Sequence, residues 1–489
     1  MGGKSLVLRA DWALTAPDQP PLREAVVRVE GGVIAAIGPA LPVPDGVEVL
    51  DLGAAVLMPG LVNAHQHGRG VSQLLMGYPD TALEPWIAAR KQHGAPDIRA
   101  VTRLAAEAML TNGVTATLHA NYTYGTGDYA QELRAQIAGY RDAGLRATIC
   151  VGVQDRGFAV YPDADDAAFV TTLPKAAQLP AFVPYMPDWT TTRVLMDELQ
   201  AELANDPLIR LAWGPAGPQW VSDGMWRAIV EDAAQRGIGV HFHLLESPAQ
   251  AQAARRLFPD GTLAHLRRLG VLDGPASCAH GVYLSPDDRQ IAAAEGLVVV
   301  LNPGANLRLY NGAPPVASMR AAGMRLAVGT DNCALHDDED YLRELRLATT
   351  LGRSGLTRSS ADEAQVGLGM ATTNGAAALF LDDRMGTLAS GRRADVAAFR
   401  LSGLGPEALI APQRIAELLF ARGSGRACCL AMVAGHVRFA DRREDHARLH
   451  AAQARATASV AARNPCAAPA AIAQLQAALR RHYAERSGA

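Results

Sequence analysis

The chain has 489 residues, 49% of them hydrophobic, which suits a large barrel joined to a smaller domain. Its formal charge is −3 and it carries no basic block interleaved with aromatics, which argues against nucleic acid or an anionic membrane as the main partner. No apolar run of about 18 residues is present to span a bilayer.

The start, Met1-Gly-Gly-Lys-Ser-Leu-Val7, lacks the apolar centre of a secretory signal. Six cysteines stand at 150, 278, 333, 428, 429 and 466 without a CxxC. That pattern predicts a reduced, cytoplasmic chain with no disulfide framework, and it makes Cys428-Cys429 a packing pair.

The opening is β-only. Residues 5–8, 25–30 and 33–37 read as strands, and Gly31-Gly32 between the last two marks a hairpin. From Leu57 eight apolar runs recur: Leu57–Ala64, Val114–Ala120, Leu145–Val153, Ile209–Ala216, Ile238–Glu246, Ala276–Leu284, Leu297–Gly304 and Met324–Asp331. Helical stretches separate them. Ser222 to Gly237 and Ser285-Pro286 to Gly296 carry N-cap and stop residues, and Arg99 to Gly113 is rich in Ala and Leu. Buried strands alternating with helices predict an α/β fold, a (β/α)8 TIM-type barrel over 57–385. The connections 65–98 and 154–208 are long enough to be lids or insertions.

Helical segments follow near Glu339–Leu351, Ser360–Met370 and Thr373–Leu381. β character returns at Gly386-Thr-Leu388, at 395–401 and at Ala427–Ala440. The two β segments, 1–56 and 386–440, are expected to pair into one small β-sandwich beside the barrel. A C-terminal helical extension over 441–489 is broken near Asn464-Pro465 and Pro469.

Chemistry in such a barrel sits at the C-terminal strand ends. His65-Gln-His67, His243-Leu-Leu-Glu246, Ala279-His280 and Gly329-Thr-Asp331 all fall there. Taken singly, each has a bland reading as a core histidine or an ordinary turn; together they converge on one mouth. Side chains two apart share a strand face, so His65 and His67 can hold one ion. His241 and His243 share that spacing, and His243, nearer the strand end, is the chosen ligand. Three histidines and an aspartate suit Zn²⁺ first and Fe²⁺ second. Such an ion lowers the pKa of water to about 7, so hydroxide attack becomes available at neutral pH. Glu246 is expected to carry the proton to the leaving nitrogen, with His280 and Asp331 beside the nucleophile. Candidate substrate contacts are Trp86, which with Leu74, Leu75, Met76 and Tyr78 lies on the first long connection, together with Gln154, Gln219, His119 and Asn306. His93, His265, His436, His446, His450 and His482 are expected to be solvated.

These motifs resemble the amidohydrolase superfamily from about Ser5 to Ala440. The branch is that of cytosine-deaminase-like and triazine hydrolases, with guanine, 8-oxoguanine and S-adenosylhomocysteine deaminases. Met58-Pro-Gly-Leu-Val-Asn-Ala-His65 looks like its opening metal motif, Asn302-Pro-Gly-Ala-Asn306 like its seventh-strand signature, and Met385-Gly-Thr-Leu388 like its return to the β domain.

The resemblance implies one divalent metal on His65, His67, His243 and Asp331, since Trp213–Trp220 offers no lysine to hold a second. It implies deamination of a small purine, pyrimidine or s-triazine, by a homodimer acting on a small molecule. The alternative on the same site is hydrolysis of an acyclic amide, urea or carbamate, or triazine dechlorination. Adenosine-type members carry histidine and tyrosine where this chain has Ala216 and Gln219, which points away from adenosine-like substrates. Ala305 and the run His119-Ala-Asn-Tyr122 also depart from the pattern.

Overall fold

The computed structural model describes residues 5–181, 186–332, 334–353 and 359–486. The opening tetrapeptide, residues 182–185 of the second long connection and Cys333 lie outside them.

Five strands open the chain: β1 (Leu6–Ala13), β2 (Leu22–Glu30), β3 (Val33–Pro39), β4 (Glu48–Asp51) and β5 (Ala55–Pro59). The expected hairpin joins β2 to β3, pairing Glu30 with Val33. The apolar run Leu57–Ala64, expected as one barrel strand, divides between two sheets. β5 ends at Pro59, and the barrel begins with β6 (Leu61–Gln66). Gly60 permits the switch, because a Cβ there would lie 1.9 Å from Thr115 Oγ1.

The barrel continues through β7 (Val114–Ala120), β8 (Arg146–Val153), β9 (Ile209–Pro215), β10 (Val240–Leu244), β11 (Ala276–His280), β12 (Val298–Leu301) and β13 (Arg325–Val328). Each strand is parallel to the next in sequence order. The seam between β13 and β6 closes just past the strand ends, where Asp331 N–H donates to the His65 carbonyl at 3.0 Å. Gly329 is required there: a Cβ would stand 2.5 Å from the His65 oxygen. Asn63 buttons the same seam, accepting from Thr330 N–H at 3.1 Å and donating to its hydroxyl at 2.7 Å.

The helices start where their caps place them. Ser222 accepts from Met225 N–H to begin Asp223–Arg236, which buries Trp226, Ile229 and Ala233. Ser285 and Asp288 form a capping box at the start of Pro286–Ala294. The run 297–304 is shorter as a strand than expected, because Pro303 at N1 starts a helix over Pro303–Arg308.

After the barrel come helices Tyr341–Leu351, Ser360–Ala371 and Thr373–Ala378, then β14 (Val396–Arg400), β15 (Cys428–Val433) and β16 (His436–Phe439). Gly386-Thr-Leu388, expected as β, is irregular, and the Leu388 N–H goes to the Thr15 carbonyl outside any ladder. Both chain ends build one continuous eight-stranded sheet, in the order β16-β15-β14-β5-β1-β2-β3 with β4 on β1. The expected sandwich is thus a single sheet, with a core that includes Leu8, Val27, Leu57, Val396 and Leu430. Cys428 and Cys429 are both buried in β15, as packing residues.

Arg146 at the foot of β8 ties this sheet to the barrel. Its guanidinium donates to both Asp395 oxygens, at 2.6 and 3.0 Å, with both side chains nearly inaccessible. Asp395→Ala leaves that cation buried without its partner, so we expect a loss of about 3–5 kcal/mol, read as a lower denaturation midpoint in urea. An unchanged midpoint would remove the pair from the account of stability.

Of the tail helices, Arg443–Ala461 packs along the helix Ile98–Thr111, where Arg448 donates to Glu107, and Pro469–Arg486 brings Leu475, Leu479 and Tyr483 to the barrel mouth. Arg463 donates to the Tyr78 hydroxyl at 2.8 Å and to the Met76 carbonyl at 2.9 Å, and Gln476 donates to the Pro85 carbonyl at 2.9 Å. The tail therefore clamps the 65–98 connection. Among the described residues, no helix is long and apolar enough to cross a membrane.

Candidate metal centre and active site

The barrel brings His65, His67, His243, Glu246, His280 and Asp331 to one mouth, all of them buried. His65 and His67 leave β6 on one face, His243 lies in β10, His280 ends β11, and Asp331 follows β13. Leu245, His280 and Asp331 have positive φ, of 48°, 76° and 54°. Non-glycine residues pay roughly 1–3 kcal/mol for such backbone. Here the strain occurs at three strand exits that turn side chains into the mouth.

Each imidazole uses Nδ1 to hold its ring. His67 Nδ1 lies 2.6 Å from the Ala120 carbonyl and His243 Nδ1 lies 3.0 Å from the Ala216 carbonyl. A carbonyl only accepts, so both Nδ1 atoms carry the proton and both Nε2 atoms are bare. His65 Nδ1 meets His241 Nε2 at 2.9 Å. His280 Nδ1 donates to Asn306 Oδ1 at 2.9 Å.

The nitrogen donors of His65, His67 and His243 lie within 4.8 Å of one another, as do the donors of His65, His280 and Asp331. Asp331 Oδ1 is 3.0 Å from His67 Nε2 and 3.6 Å from His65 Nε2. The Nε2 atoms of His65 and His280 are buried with no hydrogen-bond partner among the described residues. Orphaned imidazole nitrogens aimed at a carboxylate are what a divalent cation would satisfy, so the donor set fits one.

Burial chiefly lowers the pKa of His65 and His243, which keeps them neutral, as metal ligands must be, and it pushes that of His280 down to about 4. Burial opposes the charge on Asp331, but the facing His65 and His67 rings hold its carboxyl well below the usual range. Glu246 moves the other way. Burial first, then the charges of Asp331 and Glu84, raise it well above an ordinary carboxyl. Asn311 Nδ2 donates to its Oε1 at 2.9 Å, and its Oε2 faces His280 Nε2 at 3.5 Å.

A cavity of about 360 Å³ opens over this cluster. Trp86, Tyr78 and Gln154 line it, and so does Met76. Leu74 and Leu75 are exposed instead. Three other expected contacts lie behind the wall. His119 is wholly buried, with Nδ1 on the Tyr140 hydroxyl at 2.8 Å. Gln219 is buried and not among the lining residues, and Asn306 is spent on His280. Of the histidines expected to be solvated, His93 is half-buried in the cavity wall, His265 is half-buried on Asp223 at 2.9 Å, and His482 is half-buried in the tail.

Sequence reasoning missed Glu84, Tyr122, Asn311 and Tyr483. Glu84 lines the cavity and accepts from the Tyr161 hydroxyl at 2.8 Å and from Ser247 Oγ at 2.5 Å. Tyr122 places its hydroxyl 3.5 Å from His243 Nδ1. Tyr483 closes the far end from the tail, its hydroxyl accepting from Tyr161 N–H at 3.2 Å. None of these stands in a spacing that marks chemistry; only the histidine-to-tyrosine run at 119–122 flagged its neighbourhood.

Comparison with known proteins shows which family the chain resembles over most of its length. Residues 56–436 match the profile of the amidohydrolase family. A 5-methylthioadenosine/S-adenosylhomocysteine deaminase of Moorella thermoacetica is 28% identical over 402 residues, covering 80% of this chain and 84% of the relative. Its namesake in Halobacterium salinarum is 30% identical over 397 residues, covering 80% and 81%. Among solved structures, a zinc-bound adenosine deaminase from Xanthomonas campestris superposes with a TM-score of 0.76 at 25% identity, covering 93% of this chain and 98% of that one.

Proposed function

The chain belongs to the amidohydrolase family, and from that premise we propose that its barrel mouth is a one-metal aminohydrolase site for a substituted, amino-bearing nitrogen heterocycle. It is a hydrolase of carbon–nitrogen bonds in cyclic compounds, and ammonia is the leaving group. The observation that carries the reading is the meeting of four donors, His65, His67, His243 and Asp331, with the buried Glu246 carboxyl under one cavity.

Those four residues would hold the ion, Zn²⁺ before Fe²⁺. The ion supplies Lewis acidity and a water acidic enough to ionise near neutral pH. Glu246 takes the water proton and returns it to the departing nitrogen. Its raised pKa keeps the proton in place until the amine needs it. Asn311 holds one Glu246 oxygen, which leaves the other toward His280. His280, neutral and fixed by Asn306, keeps a bare Nε2 3.5 Å from Glu246 Oε2, where it can accept from the attacking water. A departing chloride would need no such proton, so this carboxyl favours deamination over dechlorination.

The cavity runs past one ring to Trp86, Tyr161, Leu479 and Tyr483, so the ring carries a substituent. The deaminases among the relatives put 6-aminopurine nucleosides first. Against that, Ala216 spends its carbonyl on His243 and Gln219 sits behind the wall, so neither supplies the imidazole and phenol of the adenosine pattern. Amino-s-triazines therefore stand beside the purines. The free cysteines among the described residues support a cytoplasmic setting, and a homodimer is the expected assembly.

The test is ammonia release by the metal-loaded protein across adenosine, 5-methylthioadenosine, adenine, guanine and amino-s-triazines, with ureas, amides and a chlorotriazine as controls. Turnover confined to the controls would overturn deamination. With the best substrate, Trp86→Ala should raise KM about 2- to 10-fold, the scale of an aromatic contact, and lower kcat less. Unchanged kinetics would take Trp86 out of substrate binding.

A further inference from the structure

We infer that His241 and Ser277 are positioning residues of the metal centre: a hydrogen-bond chain anchored on the Ala378 carbonyl keeps the proton of His65 on Nδ1 and so turns a bare Nε2 toward the ion. The inference rests on the reading of His65 as a ligand.

The three ligand imidazoles are not held alike. His67 and His243 lean on backbone carbonyls, which dictate the tautomer by themselves. His65 leans on a second imidazole, His241, at 2.9 Å. Two neutral imidazoles share a single proton across such a contact, and either ring can be the donor. The wrong choice puts a proton on His65 Nε2, where the ion must bind.

The rest of the chain makes the choice. His241 Nδ1 lies 2.8 Å from Ser277 Oγ, and that hydroxyl lies 3.0 Å from the Ala378 carbonyl. Ala378 ends the helix Thr373–Ala378, so its carbonyl is one of the acceptors a helix end leaves over. It has no proton to give, so Ser277 donates to it. The hydroxyl then has only lone pairs left, so His241 Nδ1 must carry a proton. Among the described residues no carboxylate hydrogen-bonds His241 to draw a second proton onto the ring, so Nε2 stays bare and accepts from His65 Nδ1–H. His65, His241 and Ser277 are each at most 1% exposed, so water does not compete along the chain. Ser277 on β11 and the helix after the barrel thus act on the ion through two intervening groups. The i, i+2 pair on β10 divides its labour accordingly: His243 faces the ion and His241 orients a ligand.

The experiment is competitive zinc titration of the metal-stripped full chain against a chromophoric chelator. Ser277→Ala and His241→Phe should each weaken zinc binding about 10- to 100-fold, the usual cost of losing a ligand's support. Ser277→Thr, which keeps the hydroxyl, should stay within about threefold of the parent. Long-range ¹H–¹⁵N spectra of histidine-labelled, metal-free protein should show His65 with a single protonated Nδ1 in the parent and mixed tautomers in Ser277→Ala. Parent-like zinc affinity in Ser277→Ala overturns the proposal. Should His241→Phe fail to fold, the Ser277 pair decides. A parent protein that binds no zinc defeats the metal reading instead, so the two failures are distinguishable.

Discussion

Asp331→Ala is expected to empty the metal site, taking bound metal from about one ion per chain to none, and to abolish turnover. The other ligands are neutral imidazoles, so Asp331 is the only one whose charge offsets the cation. Burial works against its charge, but the facing His65 and His67 rings hold its carboxyl in the ionised form. Its backbone N–H still closes the barrel seam on the His65 carbonyl, so the alanine variant keeps the fold. The check is elemental analysis of purified variant and parent, with circular dichroism as the control for folding. Removing the ion from the parent with a chelator should reproduce the loss, and Zn²⁺ or Fe²⁺ should reverse it. A variant that retains stoichiometric metal would remove Asp331 from the ligand set. Two tightly held ions in the parent would sink the one-metal reading, which also rests on the absence of a lysine from Trp213–Trp220.

Glu246→Gln should leave the metal in place and lower kcat by at least about 10²-fold, the scale of a general acid–base group. The amide is nearly isosteric, and its oxygen can keep the contact with Asn311 Nδ2. What it cannot do is accept the water proton and hand it to a leaving amine. The carboxyl sits where burial and the nearby charges of Asp331 and Glu84 favour its protonated form, so a proton taken up early is retained until the carbon–nitrogen bond breaks. The two variants separate the two halves of the site: one loses the ion, the other loses only proton transfer. Metal content equal to the parent combined with wild-type ammonia release would show that Glu246 is not the shuttle, and His280 would be tested next.

The barrel and its cluster were legible because both depend on local pattern. Buried parallel strands must be nearly continuous apolar runs, and helices between them need caps, so alternation over 57–331 predicts the fold from short segments. A residue at a barrel strand's end points into the mouth wherever the strand lies in sequence. His65, His67, His243, Glu246, His280 and Asp331 could therefore be assembled from four separate motifs. Glycine played a part that spacing did not reveal: the Gly-Thr-Asp motif exists because only a residue without Cβ can pass the His65 carbonyl at the seam.

Tertiary structure decided what depends on contacts between distant segments. Leu57–Ala64 looked like one strand, yet it crosses between sheets at Gly60 because Thr115, 55 residues on, leaves no room for a side chain. His119, Gln219 and Asn306 carry polar groups suited to a pocket, but Tyr140, burial and His280 claim them. Glu84, Asn311 and Tyr483 enter the site from a connection, a loop and the C-terminal helix, whose local sequences look like any solvated surface. His241 and His243 share one spacing, and position near the strand end picked out His243 as the ligand. What His241 meets was decided by distant segments: its Nδ1 lies 2.8 Å from Ser277 Oγ, which donates to the Ala378 carbonyl, 137 residues from His241.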